Sequence, residues 1–589
     1  MLGRIKEILD NKVYIKLEID ITQQENLVNL HVVFENNNAK IVGEIVNTNM
    51  EEMIVNIVGE IVGNTFLPGV SKKPSFKSNV RMINFNELEL ILGSQTPSAD
   101  YINLGMSNIY NNYHVNVDVN SFFSNHFAVL GNSGSGKSFT VASLLQHVFT
   151  SFTTAPLGAN IFLFDAYGEY TNAFSKLKEV NPNIKYKVYT TDIKYNILDI
   201  IRIPVWLLDV DDLALLLDVT TPNQLPIIEK ALKLVPILTG ETEEVIKHKN
   251  DIIARAILDI LLSGIDSTKI IDQTTAVLTK FHTKDLNLET TIVQPGYVRT
   301  FKQCLILDKT GKILEMELIV KFIKSFITDN NEEIVFTKNY RYSLEDLEMA
   351  MDFALISEGI LKSEKVFDFA NVLSVRLHSL VNSDAKLYFS YDEDVTREEY
   401  ILRLLTDNAT KTKCQIVNFN ISYIDDRLAK VMTKILSKML FTQAISNQNR
   451  GSIPFHIIIE EAHRYVQNDK DNEILGYNIF ERITKEGRKY GVLLGLITQR
   501  PSELSDTAIS QCSNFIILRT LHPKDLDYIK NMVPNITSEI VIQLKNLKPG
   551  NCIAFGSAFR IPLSMYVEKP NPEPLSNNVD IKRIWFSQK

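Results

Sequence analysis

Apolar and polar positions along the chain follow two different rhythms. Up to about residue 105 they alternate in short runs: VYIKLEID (13–20), LVNLHVVFE (27–35), AKIVGEIVN (39–47) and MIVNIVGEIVG (53–63). Polar turns such as ENNNAK and NTNMEE separate them. Period-two alternation with regular turns and little helix predicts a small β-barrel. A Pro/Ser/Lys loop, FLPGVSKKPSFKSN (66–79), lies near its end.

From about residue 106 the apolar residues come in solid runs between helix-spaced segments. HFAVL (126–130), ANIFLFDAYGEY (159–170), CQIVNFN (414–420), FHIIIEEAH (455–463), VLLGLITQRP (492–501), NFIILRT (514–520) and NCIAFG (551–556) read as buried strands. Residues 205 to about 290 carry Leu, Ile and Ala at three-to-four spacing, which predicts helices. CLILDKTGKILEMELIV (304–320) reads as a hairpin turning at Lys309-Thr310-Gly311, and YSLEDLEMAMDFALISEGIL (342–361) as helix again. The expected fold class is α/β, in four segments: a β-barrel over 1–105, a first part of a nucleotide-binding core over 106–204, a mainly helical insertion over 205–400, and the rest of the core with a C-terminal tail over 401–589.

Composition narrows the function. The chain has 589 residues, 45% hydrophobic and 22% charged, ordinary for a globular protein with a large core. A net charge of −8 gives no overall basic field for nucleic acid, so a DNA contact must be a local stripe or the lining of a ring. Cys304, Cys414, Cys512 and Cys552 are far apart and form no metal spacing; reduced thiols in the cytoplasm are expected. There is neither an apolar signal core nor a run of about eighteen apolar residues, so no membrane span is expected.

The chemistry begins at GNSGSGKS: Gly131, Asn132, Ser133, Gly134, Ser135, Gly136, Lys137 and Ser138. This is the P-loop spacing, placed between a buried strand and a helix. Small residues let backbone N–H groups curl round a phosphate, Lys137 reaches the β- and γ-phosphates, and the Ser138 hydroxyl binds Mg²⁺. ATP and Mg²⁺ are the expected cofactors. HIIIEEAH (456–463) has the form of a Walker B strand, with two acids at the end where parallel sheets bind ligands. Glu460 is expected to hold the Mg²⁺ shell through water and Glu461 to polarise the attacking water. His463 is expected to be a structural hydrogen-bonder. Gln499 ends the strand VLLGLIT, where an amide can sense the γ-phosphate. Arg482, Lys485, Arg488 and Lys489 make either a solvated face or, in a ring, an arginine finger for a neighbour, with Arg488 ahead of Arg482.

Together GNSGSGKS, FDAYGEY, HIIIEEAH, EGRKYGVLLGLITQRPSEL and CSNFIILRTLHPKD, in that order, resemble the HerA-like branch of the HerA/FtsK ring ATPases. Asp165, Gly168, Glu169 and Tyr170 match that branch's D-x-x-G-E-Y segment, and the start of the chain resembles its HAS-barrel. Glu460 stands where many relatives carry Asp. The resemblance implies a RecA-like core, a homohexamer with ATP sites between subunits, and translocation on or unwinding of double-stranded DNA. It implies a separate effector, a nuclease or a sirtuin-type NAD hydrolase, docking on the β-barrel and serving DNA processing or anti-phage defence. Lys185, Lys187 and Lys194 are equally pore-facing or plain surface lysines. The alternative is an ATP-gated scaffold ring with little motor activity. A DEAH-type helicase would need a second RecA-like domain with Q-x-x-G-R-x-G-R, which is absent, and a secretion-type ATPase would need a membrane anchor.

Overall fold

The computed structural model describes residues 1–21, 27–36, 39–96, 98, 100–150, 155–194, 199–294, 296–328, 340–359, 364–532, 536, 538–576 and 581–586. Parts of the ENNNAK turn and the end of the helix expected over 342–361 lie outside them. The chain forms two compact units. One comprises Met1–Ile200, Ile401–Asp469 and Asn478–Lys589; the other comprises Ile201–Tyr400 and Lys470–Tyr477.

The strands of the chain's first part are β1 (Gly3–Leu9), β2 (Lys12–Leu17), β3 (His31–Asn36), β4 (Ala39–Thr48), β5 (Glu52–Val62), β6 (Thr65–Pro68) and β7 (Asn79–Met82). They form one antiparallel sheet in the order β1-β2-β5-β4-β3-β7, with β6 on β5. Alternation places Met53, Val55 and Ile57 of β5 on the buried face, against Val13, Ile15, Val32 and Phe34. The Leu2 amide donates to the Val80 carbonyl at 2.7 Å, joining the chain just before β1 to β7.

A larger sheet follows, built from β8 (Tyr101–Ser107), β9 (His114–Asp118), β10 (Phe127–Leu130), β11 (Ile161–Asp165), β12 (Tyr186–Thr190) and β13 (Asp199–Ile200). Among the described residues, the strands of the second unit are a separate hairpin, β14 (Thr291–Gln294) and β15 (Tyr297–Thr300). The large sheet resumes with β16 (Ile416–Asn420), β17 (Phe455–Ile459), β18 (Val492–Thr498), β19 (Asn514–Leu518), β20 (Asn551–Gly556) and β21 (Leu563–Tyr566). Its order is β13-β12-β16-β11-β17-β18-β10-β19-β20-β21-β8-β9. Neighbours from β13 to β19 pair in parallel, and those from β19 to β9 pair antiparallel. β10, β18 and β19 are buried along their whole length, as helices on both faces of a parallel sheet require. Because β8 pairs with β21, the segment expected to end at residue 105 already overlaps this sheet from Tyr101.

The second unit is helical over Val210–Leu216, Leu225–Thr239, Glu243–Leu262 and Ser267–Phe281. The hairpin expected over 304–320 does not form. The turn at Asp308–Lys312 is present, but only one bridge, Leu307 to Ile313, follows it, and Met316–Lys324 is a helix. Ile319 and Ile323, one helical turn apart, are both fully buried, while Leu314 is exposed and Met316, Leu318 and Val320 are only half-buried, the reverse of the face an alternating strand over 314–320 would bury.

Candidate nucleotide site

The P-loop leaves the end of β10 and is clamped from both sides. The Gly131 amide donates to the carbonyl of Thr498, the last residue of β18, at 3.2 Å. The Asn132 amide donates to the carbonyl of Arg519, just beyond β19, at 2.9 Å. Inside the loop, the buried Ser135 hydroxyl donates to the Asn132 carbonyl at 2.7 Å. The loop turns into the helix Lys137–Thr150 at Gly136, whose φ of +105° is closed to other residue types. The first N–H groups of that helix therefore face the loop's hollow, a ready anion site.

The Lys137 ammonium donates to the Asn132 carbonyl at 3.1 Å. Burial lowers its pKa, and three acids oppose the shift: Glu461, Glu460 and Glu169. The structure thus brings together residues more than three hundred positions apart. Glu460 and Glu461 follow β17 directly. Asp165 ends β11, the neighbouring strand, and the Glu460 amide donates to the Phe164 carbonyl at 3.1 Å.

Asp165 is fully buried and accepts from the Glu169 amide (3.0 Å), the Tyr170 amide (2.9 Å) and Asn418 Nδ2 (3.2 Å). Burial raises the pKa of both Asp165 and Glu460, and for Glu460 the charges of Asp165, Glu169 and Glu461 add to the rise. Two carboxyls this close in a dry site each oppose the other's ionisation. Glu461 sits in the left-handed region, φ 48° and ψ 45°, a conformation that costs a non-glycine residue about 1–3 kcal/mol. Its Oε2 has His463 Nδ1 at 3.2 Å, and the same nitrogen lies 3.0 Å from the Thr498 hydroxyl.

Oε2 of Glu169 and Oε2 of Glu460 are buried without a hydrogen-bond partner. Glu460 and the Ser138 hydroxyl are both oxygen donors, the kind a hard divalent cation takes. No group of three His, Cys, Asp or Glu among the described residues could hold an ion by itself.

Gln499 follows β18, which lies between β17 and β10, so the amide stands between the acid-bearing strand and the P-loop strand. It lines a cavity of about 490 Å³ together with Asn132, Ser133, Arg500 and Lys524.

Arg482 and Arg488 are not brought to this P-loop. Both are exposed on the helix Ile479–Tyr490. Arg488 acts on His126, which precedes β10 at the end opposite the loop, and helps burial hold that imidazole down to about 4. Arg482 lies over the Phe441 ring at 5.6 Å and 3.7 Å from Glu486. Lys187, expected as a pore or surface lysine, is neither. It is buried, donates to the Thr406 carbonyl (2.9 Å) and Asn408 Oδ1 (3.3 Å), and pairs with Asp199 at 3.3 Å. Lys185 is half-buried and Lys194 exposed. The four cysteines are buried and free, and no helix among the described residues is long and apolar enough to cross a membrane.

The site reading from sequence left out Asp165, Glu169 and Arg519. The first two stand in the FDAYGEY run at a strand end, a visible signal, although their meeting with Glu460 and Ser138 is not. Arg519 borders the loop with a buried Nε that lacks a hydrogen-bond partner, and a lone Arg after a strand gave no such sign.

The family model described as "Helicase HerA, central domain" matches residues 102–440. The chain is 25% identical to the DNA double-strand break repair helicase HerA of Pyrococcus furiosus over 527 residues, 88% of this chain and 78% of that one. It is 22% identical to the probable DNA double-strand break repair helicase HerA of Methanocaldococcus jannaschii over 544 residues, 90% of this chain and 88% of that one. Among solved structures, VirB4 of Thermoanaerobacter pseudethanolicus is similar with a TM-score of 0.40 and 14% identity, covering 81% of this chain and 98% of that one. The chain belongs to the HerA helicase family of ATPases.

Proposed function

We propose that this ATPase is a homohexameric ring motor that translocates on or unwinds double-stranded DNA, with ATP and Mg²⁺ bound at the P-loop. The observation that carries the reading is the convergence of Glu461, Glu460 and Glu169 on Lys137 at one end of a parallel sheet. A nucleotide switch has no use for a strained, buried second acid; a hydrolase does. The names of the relatives, repair helicases, support DNA as the track.

In this reading the P-loop amides and Lys137 hold the β- and γ-phosphates, and Ser138 and Glu460 hold the Mg²⁺ shell. When bound, Mg²⁺ supplies charge that polarises the γ-phosphoryl group. Glu461 takes the proton of the attacking water, and His463 fixes the carboxylate. Gln499 orients that water or senses the γ-phosphate. Arg488, or Arg482, enters a neighbouring subunit's site, since neither reaches its own. The N-terminal sheet is a HAS-type barrel and the docking face for an effector, a nuclease or an NAD hydrolase, in DNA processing or defence. Residues 205–400 form a helical insertion in a RecA-like core, and the protein works in the cytoplasm.

Displacement of a third strand from a triplex on linear duplex tests the motor. ATP-dependent displacement by the wild type, absent in Lys137→Ala, is expected. ATP turnover without any displacement would overturn translocation and leave a gated scaffold.

A further inference from the structure

The loop from Asp165 to Tyr170 is held from two sides. From within, the Asp165 carboxylate accepts from the Glu169 and Tyr170 amides. Gly168, φ +73°, makes the turn possible; a Cβ there would stand 2.8 Å from Asn420 Nδ2. From without, the Glu169 carbonyl accepts from the Leu575 amide at 2.7 Å.

Leu575 belongs to a strap near the C-terminus that is itself stitched to the P-loop helix. The Asn571 amide donates to Gln146 Oε1 (2.8 Å), and Gln146 Nε2 donates to the Pro572 carbonyl (3.0 Å) and the Ala173 carbonyl (2.7 Å). The Leu575 side chain is 60% exposed, so its backbone makes the contact that counts.

This double hold sets the half-buried Glu169 carboxyl beside Ser138 and Lys137, with Oε2 buried and unpartnered. A serine hydroxyl has one proton and two lone pairs. A cation is served only if the proton points elsewhere, and a neighbouring carboxylate is the natural acceptor. We propose that Glu169 is a positioning residue for the metal: it takes the Ser138 hydroxyl proton as a hydrogen bond, turns the oxygen lone pairs to the Mg²⁺ bound with nucleotide, and is kept in place by the 569–576 strap.

The inference rests on the reading of Ser138 as a metal contact, and the test separates the two. Binding of a fluorescent ADP is measured in EDTA and across a Mg²⁺ titration for full-length wild type, Ser138→Ala, Glu169→Ala, Glu169→Gln and Leu575→Pro. Glu169→Ala should need about tenfold more Mg²⁺ to reach the wild-type gain in affinity. Its affinity in EDTA should not fall. Glu169→Gln, which keeps an acceptor and the shape, lies between. Leu575→Pro, which removes the N–H that the Glu169 carbonyl accepts, shifts the same way by less. A shift in Ser138→Ala with none in either Glu169 variant overturns the inference alone. No shift in Leu575→Pro overturns the strap's part in it. No shift in Ser138→Ala overturns the reading of Ser138, and the inference with it.

Discussion

His463 Nδ1 stands 3.2 Å from Oε2 of Glu461. The same nitrogen is 3.0 Å from the Thr498 hydroxyl, at the end of the strand that leads to Gln499. One ring nitrogen thus bonds the proposed sensor strand and stands beside the proposed base, whose Oε2 makes no hydrogen bond. His463→Ala should lower kcat about tenfold and leave nucleotide affinity within about twofold, because the base remains but loses its fixed direction. A tenfold loss of nucleotide affinity, seen by fluorescent-ADP titration, would mean that His463 supports the loop instead.

Glu461 itself carries backbone strain as well as a carboxylate. Glu461→Gly should relieve about 1 kcal/mol of left-handed strain and raise resistance to urea, while ATP turnover falls at least about 100-fold. Equilibrium unfolding and a turnover assay on the same preparation check both. A less stable Glu461→Gly would show that the carboxyl's contacts outweigh the strain.

Arg488 and Arg482 stand away from their own P-loop, which makes a sharp test of action in trans. Arg488→Ala should lose turnover about 1,000-fold and regain part of it when mixed with Lys137→Ala subunits. No recovery in a mixed, folded oligomer would remove Arg488 and leave Arg482.

Glu44 faces His31 across the β3–β4 ladder. Burial pushes its carboxyl up to about 7 and holds His31 down to about 4. A raised folded pKa means more protons bound in the folded state, so the Glu44 contribution is present below its ordinary 4.5 and is lost as pH rises to about 7. His31 acts oppositely, but only between about 4 and 6.5. Between pH 6.5 and about 7 Glu44 alone of the two acts, and urea stability should fall with pH there in the wild type relative to Glu44→Gln. Parallel curves would contradict the raised carboxyl of half-buried Glu44.

The sequence made the contiguous parts legible. The P-loop, the acids after β17 and Gln499 between two strand ends each follow from a strand that stops at a known residue. All five strand runs after residue 413 form where their apolar stretches lie. Two kinds of information were not local. Leu314, Met316, Leu318 and Val320 alternate as a strand would, yet Ile319 and Ile323 decide for a helix, because packing sets which face is buried. Lys187 reads in sequence as a pore or surface cation because nothing nearby announces Thr406, Asn408 or Asp199. The Asp165–Glu460 contact spans nearly three hundred residues and becomes visible only when β11 and β17 pair.

The most direct measurement is steady-state ATP hydrolysis by the purified protein, with and without linear duplex DNA, and with Glu461→Gln as the blank. The expected result is turnover that duplex strongly stimulates and that Glu461→Gln loses while still binding ATP. Turnover indifferent to duplex would contradict the motor, and normal turnover by Glu461→Gln would contradict the site.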